Sequence, residues 1–144
     1  MNQVLGMFQN MGNQAFSKAV TGFAPYFATI DPTFTELRPG YAEVTFANRR
    51  EVHNHIGTVH AIALCNAAEL AAGTMTTVSI PEGRQWIPVG MAVQYLAKAK
   101  TDMRVVANGQ QVAWDHTGNV DVPVDAFDAE GKRVFTATIT MNLK

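Results

Sequence analysis

A single carboxylate in an otherwise apolar stretch is the side chain of this sequence best suited to catalysis. Between Gly57 and Pro81 the only formally charged residue is Glu69. A carboxylate among apolar neighbours is costly to desolvate unless it is paired or faces a polar pocket. Such a group can serve as the general base or the nucleophile of a hydrolytic reaction. The alternative is a purely structural role, with Glu69 satisfied by Asn54 or by a hydroxyl group across a dimer contact.

The second chemical feature is the start of the segment that carries Glu69. Residues 54–73, NHIGTVHAIALCNAAELAAG, are rich in helix-forming residues, and Gly73 stands where a left-handed C-terminal stop is common. We predict a helix of about four turns there. A helix N-terminus offers unpaired N–H groups and the positive end of the helix dipole, so the amides around His60 and Ala61 are candidates to hold an oxyanion.

These two features are too far apart to act on one carbonyl group within one chain. Ala61 and Glu69 are eight residues apart, which is about 12 Å along a helix that rises ~1.5 Å per residue. A glutamate side chain does not span that distance. We therefore predict a two-fold dimer with antiparallel central helices, in which Glu69 of one chain lies near Asn54, His60 and Ala61 of the other.

Composition limits the class of protein. With 144 residues, of which 47% are hydrophobic, the chain is long enough for one well-formed core and short for two domains. A net charge of -1 argues against a nucleic-acid binder. Cys65 is the only cysteine, so no intrachain disulfide can form, and we expect a buried, inert thiol. The N-terminus does not resemble a secretion signal and the apolar helix is interrupted by polar residues, so we expect a cytoplasmic protein without a membrane span.

The periodicity of apolar residues predicts an α+β protein. Residues 1–24 have helical spacing, which predicts one or two amphipathic helices, and residues 19–30 are predicted to form a loop or lid on the core. Alternation of apolar and polar residues predicts strands further along the chain, at 41–46, 74–80, 86–96, 103–107, 110–114, 120–126 and 135–141. Asn108 and Gly109 predict a tight hairpin between two of these strands. Pro123 predicts an edge or a bulge. The expected architecture is a curved antiparallel sheet wrapped round one buried helix.

One motif resembles a known family. The residues Asn54, Gly57, Thr58, His60 and Glu69 form the pattern N-x-x-G-T-x-H-A-x7-E. With the order of elements, this pattern is similar to the hotdog fold of acyl-CoA thioesterases. More narrowly, it resembles a little-characterised domain of unknown function related to the phenylacetate-pathway and 4-hydroxybenzoyl-CoA thioesterases. The resemblance covers residues 33–144 as a hotdog domain and leaves residues 1–32 as an added helical extension packed on the core.

The resemblance implies a role for each residue of the motif. Asn54 matches the family's amide and His60 its histidine, while Glu69 matches the catalytic carboxylate. Ala61 and Ile62 replace two glycines of the family, although Ala61 still supplies the backbone N–H that the first glycine provides. The resemblance also implies a homodimer with its active sites across the interface, with a dimer of dimers left open. The substrate would be a small to medium acyl or aryl thioester of coenzyme A, and no separate cofactor is expected.

Substrate-binding residues can be proposed only from their type and location. Gly57 and Thr58 belong to the predicted oxyanion and substrate-binding segment. Basic residues at the ends of elements are candidates for the coenzyme A phosphates, namely Lys98, Lys100, Arg49 and Arg50. Large apolar residues are candidates for the acyl pocket, namely Phe23, Tyr26, Phe27, Trp86 and Tyr95.

Several alternatives remain open at this point. His60 could serve only as a helix cap. His53, His55 and His60 include the H-x-H spacing of metal sites, but no nearby carboxylate pattern supports a metal, and we expect none. A non-catalytic domain that binds or senses acyl-CoA is the main alternative function. A hydratase or dehydratase of the same fold is disfavoured, because the His-Phe-Pro and Pro-Gly signatures of the fatty-acid dehydratases are absent.

Overall fold

A six-stranded antiparallel sheet forms the framework of the protein. A computed structural model describes residues 2–144. The strands are β1 (Thr33–Arg38), β2 (Tyr41–Phe46), β3 (Trp86–Tyr95), β4 (Met103–Asn108), β5 (Gly118–Phe127) and β6 (Arg133–Leu143). Their order across the sheet is β1-β2-β4-β5-β6-β3. Because β3 crosses to the far side and pairs only with β6, the two edges of the sheet are β1 and β3.

One long helix fills the concave side of this sheet. The third α-helix, α3 (Ala61–Ser79), has twelve of its nineteen residues buried and contacts all six strands. It is long and apolar enough to cross a membrane, yet 72% of its apolar window is buried inside the protein. Four of its alanines, Ala67, Ala68, Ala71 and Ala72, are fully buried. Small side chains let the sheet approach the helix closely, as the predicted α+β architecture requires.

The predicted boundaries of this helix were wrong at both ends. The helix begins at Ala61 instead of residue 54, and it ends at Ser79, six residues beyond Gly73. Gly73 is a contact position, not a stop: a Cβ atom there would lie 2.8 Å from the Cη2 atom of Trp86. The predicted strand at 74–80 is therefore the end of α3. Burial in the core overrides the β preference of its threonines, and the C-cap residue is Ile80, which is extended and precedes a proline.

The predicted hairpin at Asn108 and Gly109 was also wrong. Strand β4 ends at Asn108, and residues 110–114 form turns instead of a strand. The Trp114 side chain folds back over Gly109, where its Nε1–H donates to the Gly109 carbonyl oxygen at 2.9 Å. A wider connection therefore joins β4 to β5.

Pro123 lies in an interior strand of the sheet. Pairing with β4 stops at Val124, so Pro123 has only β6 as a neighbour.

Two helices precede the sheet, as the helical spacing predicted. They are α1 (Gln3–Met11) and α2 (Asn13–Phe23), separated by Gly12 at a φ of 83°. Residues 19–30 are not a loop: α2 continues to Phe23, and a 3-10 helix follows (Pro25–Ile30). The helices pack on the core through edge-to-face contacts of Phe16 with Phe8 and Phe34, each with ring centroids 5.3 Å apart.

Candidate functional site

Glu69 lines a cavity beside the central helix. The cavity has a volume of about 660 Å³ and lies between α3 and the two N-terminal helices, with Trp86 and Pro88 of β3 along one side. Glu69 is half-buried, and its neighbours in the cavity are mainly apolar. Within residues 2–144 its carboxylate forms no hydrogen bond and no ion pair. An acidic group free of internal partners and beside an apolar cavity is available to act on a bound molecule.

The start of α3 has one free backbone donor. The His60 side chain caps the helix, because its Nδ1 atom accepts a hydrogen bond from the N–H of Ile62 at 3.0 Å. In the neutral imidazole this leaves the hydrogen on Nε2. The next two N–H groups, of Ala63 and Leu64, donate to the His60 carbonyl oxygen. Of the first-turn N–H groups, that of Ala61 has no partner in the described chain, so it is the donor that a developing oxyanion can use.

Asn54 closes the loop that leads into this helix. Its Nδ2 donates to the Thr58 hydroxyl at 2.8 Å, and its Oδ1 accepts from the N–H groups of Ile56 and Thr58. Gly57 adopts a φ of 80° in the middle of the loop, which favours glycine. The polar atoms of Asn54 are therefore engaged in holding the loop, and one Nδ2 hydrogen remains for a ligand.

Asn54, Thr58 and Ala61 border a second, smaller cavity of about 270 Å³. Tyr95, at the end of β3, and Lys98, just beyond it, also line this cavity. Within one chain the predicted site residues therefore fall into two groups, with Glu69 in one cavity and the helix start in the other.

The four basic candidates for phosphate binding differ in their positions. Lys98 lines the second cavity, and Lys100 and Arg50 are exposed elsewhere. Arg49 is engaged within the protein: its guanidinium lies 3.3 Å from the Glu51 carboxylate and donates to a backbone carbonyl oxygen in the 3-10 helix Pro25–Ile30. Of the four, only Lys98 lies beside either cavity.

Sequence reasoning identified part of the lining of the large cavity. Phe23, Phe27 and Trp86 line it, whereas Tyr26 is outside both cavities and Tyr95 lines the smaller one. The contributions of α1 and of the beginning of α2 were missed, and they include Val4, Met7 and Phe16. Helical periodicity revealed these apolar positions, but it could not indicate which element they face.

Cys65 and His53 do not line either of these cavities. Burial raises the pKa of the Cys65 thiol, an effect that the nearby Tyr95 hydroxyl partly offsets. His53 is hydrogen-bonded through Nε2 to the Asn48 side chain at 2.6 Å. Across residues 2–144, no three His, Cys, Asp or Glu side chains are grouped as metal ligands would be.

Solved structures share this architecture. A protein solved by structural genomics is 62% identical in sequence, with a TM-score of 0.91 over 99% of this chain and 97% of that chain. A thioesterase family protein from Silicibacter pomeroyi is 19% identical, with a TM-score of 0.76 over 88% of this chain and 94% of its own. A thioesterase from Haemophilus influenzae is 12% identical, with a TM-score of 0.74 over 83% of this chain and 82% of its own. The predicted hotdog fold is thereby confirmed.

Family membership follows from the sequence itself. No protein with a curated description matches the chain. The model of one family, the domain of unknown function DUF4442, matches residues 12–143. The chain therefore belongs to the DUF4442 family, and it has the hotdog fold of these solved structures.

Proposed function

We propose that this protein is an acyl-CoA thioesterase whose active site is shared between two copies of the chain. The observation that carries the proposal is the Glu69 carboxylate, which has no hydrogen-bonding partner in the described chain and lies beside a large apolar cavity. An apolar cavity suits an acyl group, and a free carboxylate suits the activation of water or direct attack on the thioester carbonyl.

The need for a second chain comes from the length of α3. Ala61 is the first residue of this helix and Glu69 the ninth, which separates them by about 12 Å along the axis. The donor for the oxyanion and the carboxylate therefore cannot reach one carbonyl group within a single chain. A second copy can supply the missing half to each site.

The edge strand β3 offers the surface for such pairing. Its exposed apolar side chains include Ile87, Val89 and Met91. The Glu69 cavity borders the beginning of β3, and the cavity at the helix start borders its end. If two β3 strands pair antiparallel about a two-fold axis, the beginning of one lies beside the end of the other. The large cavity of one chain then adjoins the small cavity of its partner.

The proposed reaction divides its roles between these two halves. Glu69 of one chain would take a proton from the water that attacks the carbonyl carbon, and would return it to the coenzyme A sulfur as the carbon–sulfur bond breaks. If Glu69 attacks the carbonyl carbon itself, the coenzyme A thiolate leaves and water then hydrolyses the acyl-enzyme anhydride. The Ala61 N–H of the other chain would stabilise the negative charge on the carbonyl oxygen. Lys98, beside the small cavity, would attract the coenzyme A phosphates from the same side.

The direct experiment measures coenzyme A release from a panel of acyl and aryl thioesters. We expect Glu69→Gln to lower kcat by a factor of about 100 or more while thioester binding persists. Glu82→Gln is the matched control, because Glu82 is an exposed acid in the turn after α3. Equal activity in the Glu69 and Glu82 variants would contradict the proposed role of Glu69.

One observation favours a second candidate function, an acyl-CoA binding domain without turnover. Both polar side chains at the helix start, of Asn54 and His60, are engaged in hydrogen bonds that maintain the local structure. If this protein binds an acyl-CoA thioester of the panel in a one-to-one ratio per chain and releases no coenzyme A, the result would support this function over the thioesterase.

A further inference from the structure

The first helix supplies part of the wall of the large cavity, yet it is attached to the rest of the protein at few points. Val4 and Met7 of α1 line the cavity. Leu5 is the only buried residue of α1 within the described chain, and the Phe8 ring contacts Phe16 of α2. The second helix, by contrast, has three buried residues. Segments with few buried contacts open at the lowest cost in free energy.

One hydrogen bond joins the beginning of α1 to the central helix. The Asn2 side chain caps α1 by accepting from the N–H groups of Val4 and Leu5, and its Nδ2 atom donates to the Thr77 carbonyl oxygen at 2.9 Å. Across residues 2–144, no other hydrogen bond and no ion pair connects α1 to α3 or to the sheet. Thr77 is in the last turn of α3 and is only half-buried, so water can replace this donor when the bond breaks.

The residue between α1 and α2 has a backbone conformation that favours glycine. Gly12 has a φ of 83° and a ψ of 169°, a combination that residues with a Cβ atom rarely adopt. Its N–H donates to the Phe8 carbonyl oxygen, and its own carbonyl oxygen accepts from the N–H of Phe16. A Cβ atom added at Gly12 would have open space around it. Rotation of the backbone at Gly12 can therefore move α1 as a unit without a clash at this residue.

We propose that α1 is a lid that docks over the acyl group of a bound thioester and opens at Gly12 to exchange it. The identity of the ligand rests on the proposed function. Because Val4 and Met7 line the cavity, a ligand inside it contacts α1 only while this helix is docked. A ligand with such a differential contact stabilises the docked state, and docking strengthens ligand binding by the same factor.

Amide hydrogen exchange measures the docking of α1 directly. The protein for this test is Glu69→Gln, which we expect to bind thioesters without turnover. In the free protein we expect the amides of α1 to exchange about tenfold faster than those of α2, or more. We expect the tightest-binding thioester among hexanoyl-CoA, decanoyl-CoA and benzoyl-CoA to slow exchange in α1. Free coenzyme A, which lacks the acyl group, should leave that exchange unchanged.

Two substitutions shift the docking of α1 without removing a side chain that lines the cavity. Gly12→Ala strains the backbone of the docked state, so we expect α1 to exchange about tenfold faster and to bind the thioester severalfold more weakly. Gly22→Ala is the matched control, because that glycine in α2 also has open space around it but no positive φ. Asn2→Asp keeps the acceptor that caps α1 and loses the donor to Thr77, so we expect faster exchange in α1 as well.

Three results would overturn the inference. They are exchange in α1 as slow as in α2, exchange in α1 that none of the three thioesters changes, and equal exchange in Gly12→Ala and Gly22→Ala. The lid and the hydrolysis fail separately. Slower exchange of α1 with a thioester that the wild type does not hydrolyse would support the lid and contradict the thioesterase. Hydrolysis that depends on Glu69, with α1 exchange unchanged by every thioester, would support the thioesterase and exclude the lid.

Discussion

The contact between Ser17 of α2 and Phe34 of β1 tests how α2, which lines the large cavity, is held to the core. Ser17 is only 3% exposed. Its hydroxyl oxygen accepts from the N–H of Phe34 at 2.8 Å and the hydroxyl group donates to the Asn13 carbonyl oxygen at 2.6 Å. We expect Ser17→Ala to leave a buried N–H group without a partner, which costs about 1–3 kcal/mol of folding stability.

The chain contains a matched control for this substitution. Ser79, the last residue of α3, makes the same two contacts: it accepts from the N–H of Gly40 at 2.8 Å and donates to the Met75 carbonyl oxygen at 2.6 Å. Ser79 is only partly buried, so water can replace part of the lost bonding. We expect Ser79→Ala to cost about 0.5–1.5 kcal/mol, less than Ser17→Ala.

Urea unfolding of both variants and the wild type, at one fixed protein concentration, measures these differences. The concentration is fixed because association would otherwise contribute to apparent stability. Midpoints that shift with an unchanged m-value indicate a change in stability. If Ser17→Ala loses no more stability than Ser79→Ala, the buried contact does not hold α2 to the core as we argue.

Three further predictions concern the edge strand, the helix cap and the thiol. We expect Met91→Lys, in the middle of β3, to give a monomer by light scattering and to abolish turnover, because pairing would bring two like charges together; an active dimer would refute this. We expect His60→Asn to unfold at nearly the wild-type urea concentration and His60→Ala to lose about 1 kcal/mol, and equal losses would show that capping is unimportant. Burial raises the pKa of Cys65, so we expect the thiol to be protonated at neutral pH and to react with a thiol reagent more slowly than in the unfolded chain. The rate should rise as the pH increases. A native rate equal to that of the unfolded chain would be inconsistent with this burial.

The order and type of most elements could be predicted because they depend on local patterns. Alternating residues in β2, β5 and β6 face a core on one side, and this gives a period of two that is visible in the sequence. Glu69 could be identified as the only charged residue of the apolar helix from the residue types alone. The separation of about 12 Å from Ala61 required only the rise of a helix.

The errors occurred where a distant side chain determines the local structure. Gly73 looks like a helix stop until Trp86, thirteen residues later, is seen to occupy the space of its missing side chain. Asn108 and Gly109 look like a hairpin until Trp114 is seen folded over the glycine. The role of α1 and α2 in lining the large cavity was missed for a similar reason. Periodicity locates the apolar face of a helix but not the surface against which that face packs.

The most direct test of the shared active site uses two variants, each defective in a different half. Glu69→Gln removes the carboxylate. Ala61→Pro removes only the unpaired N–H, because proline is tolerated at the first position of a helix and His60 already has the extended conformation that precedes proline, with φ -65° and ψ 136°.

Heterodimers of these two variants, isolated with two different affinity tags, give the measurement. One of their two sites would carry both defects and the other neither, so we expect about half of the wild-type rate of coenzyme A release per dimer, from two nearly inactive parents. A heterodimer no more active than either parent homodimer would contradict a site built from two chains.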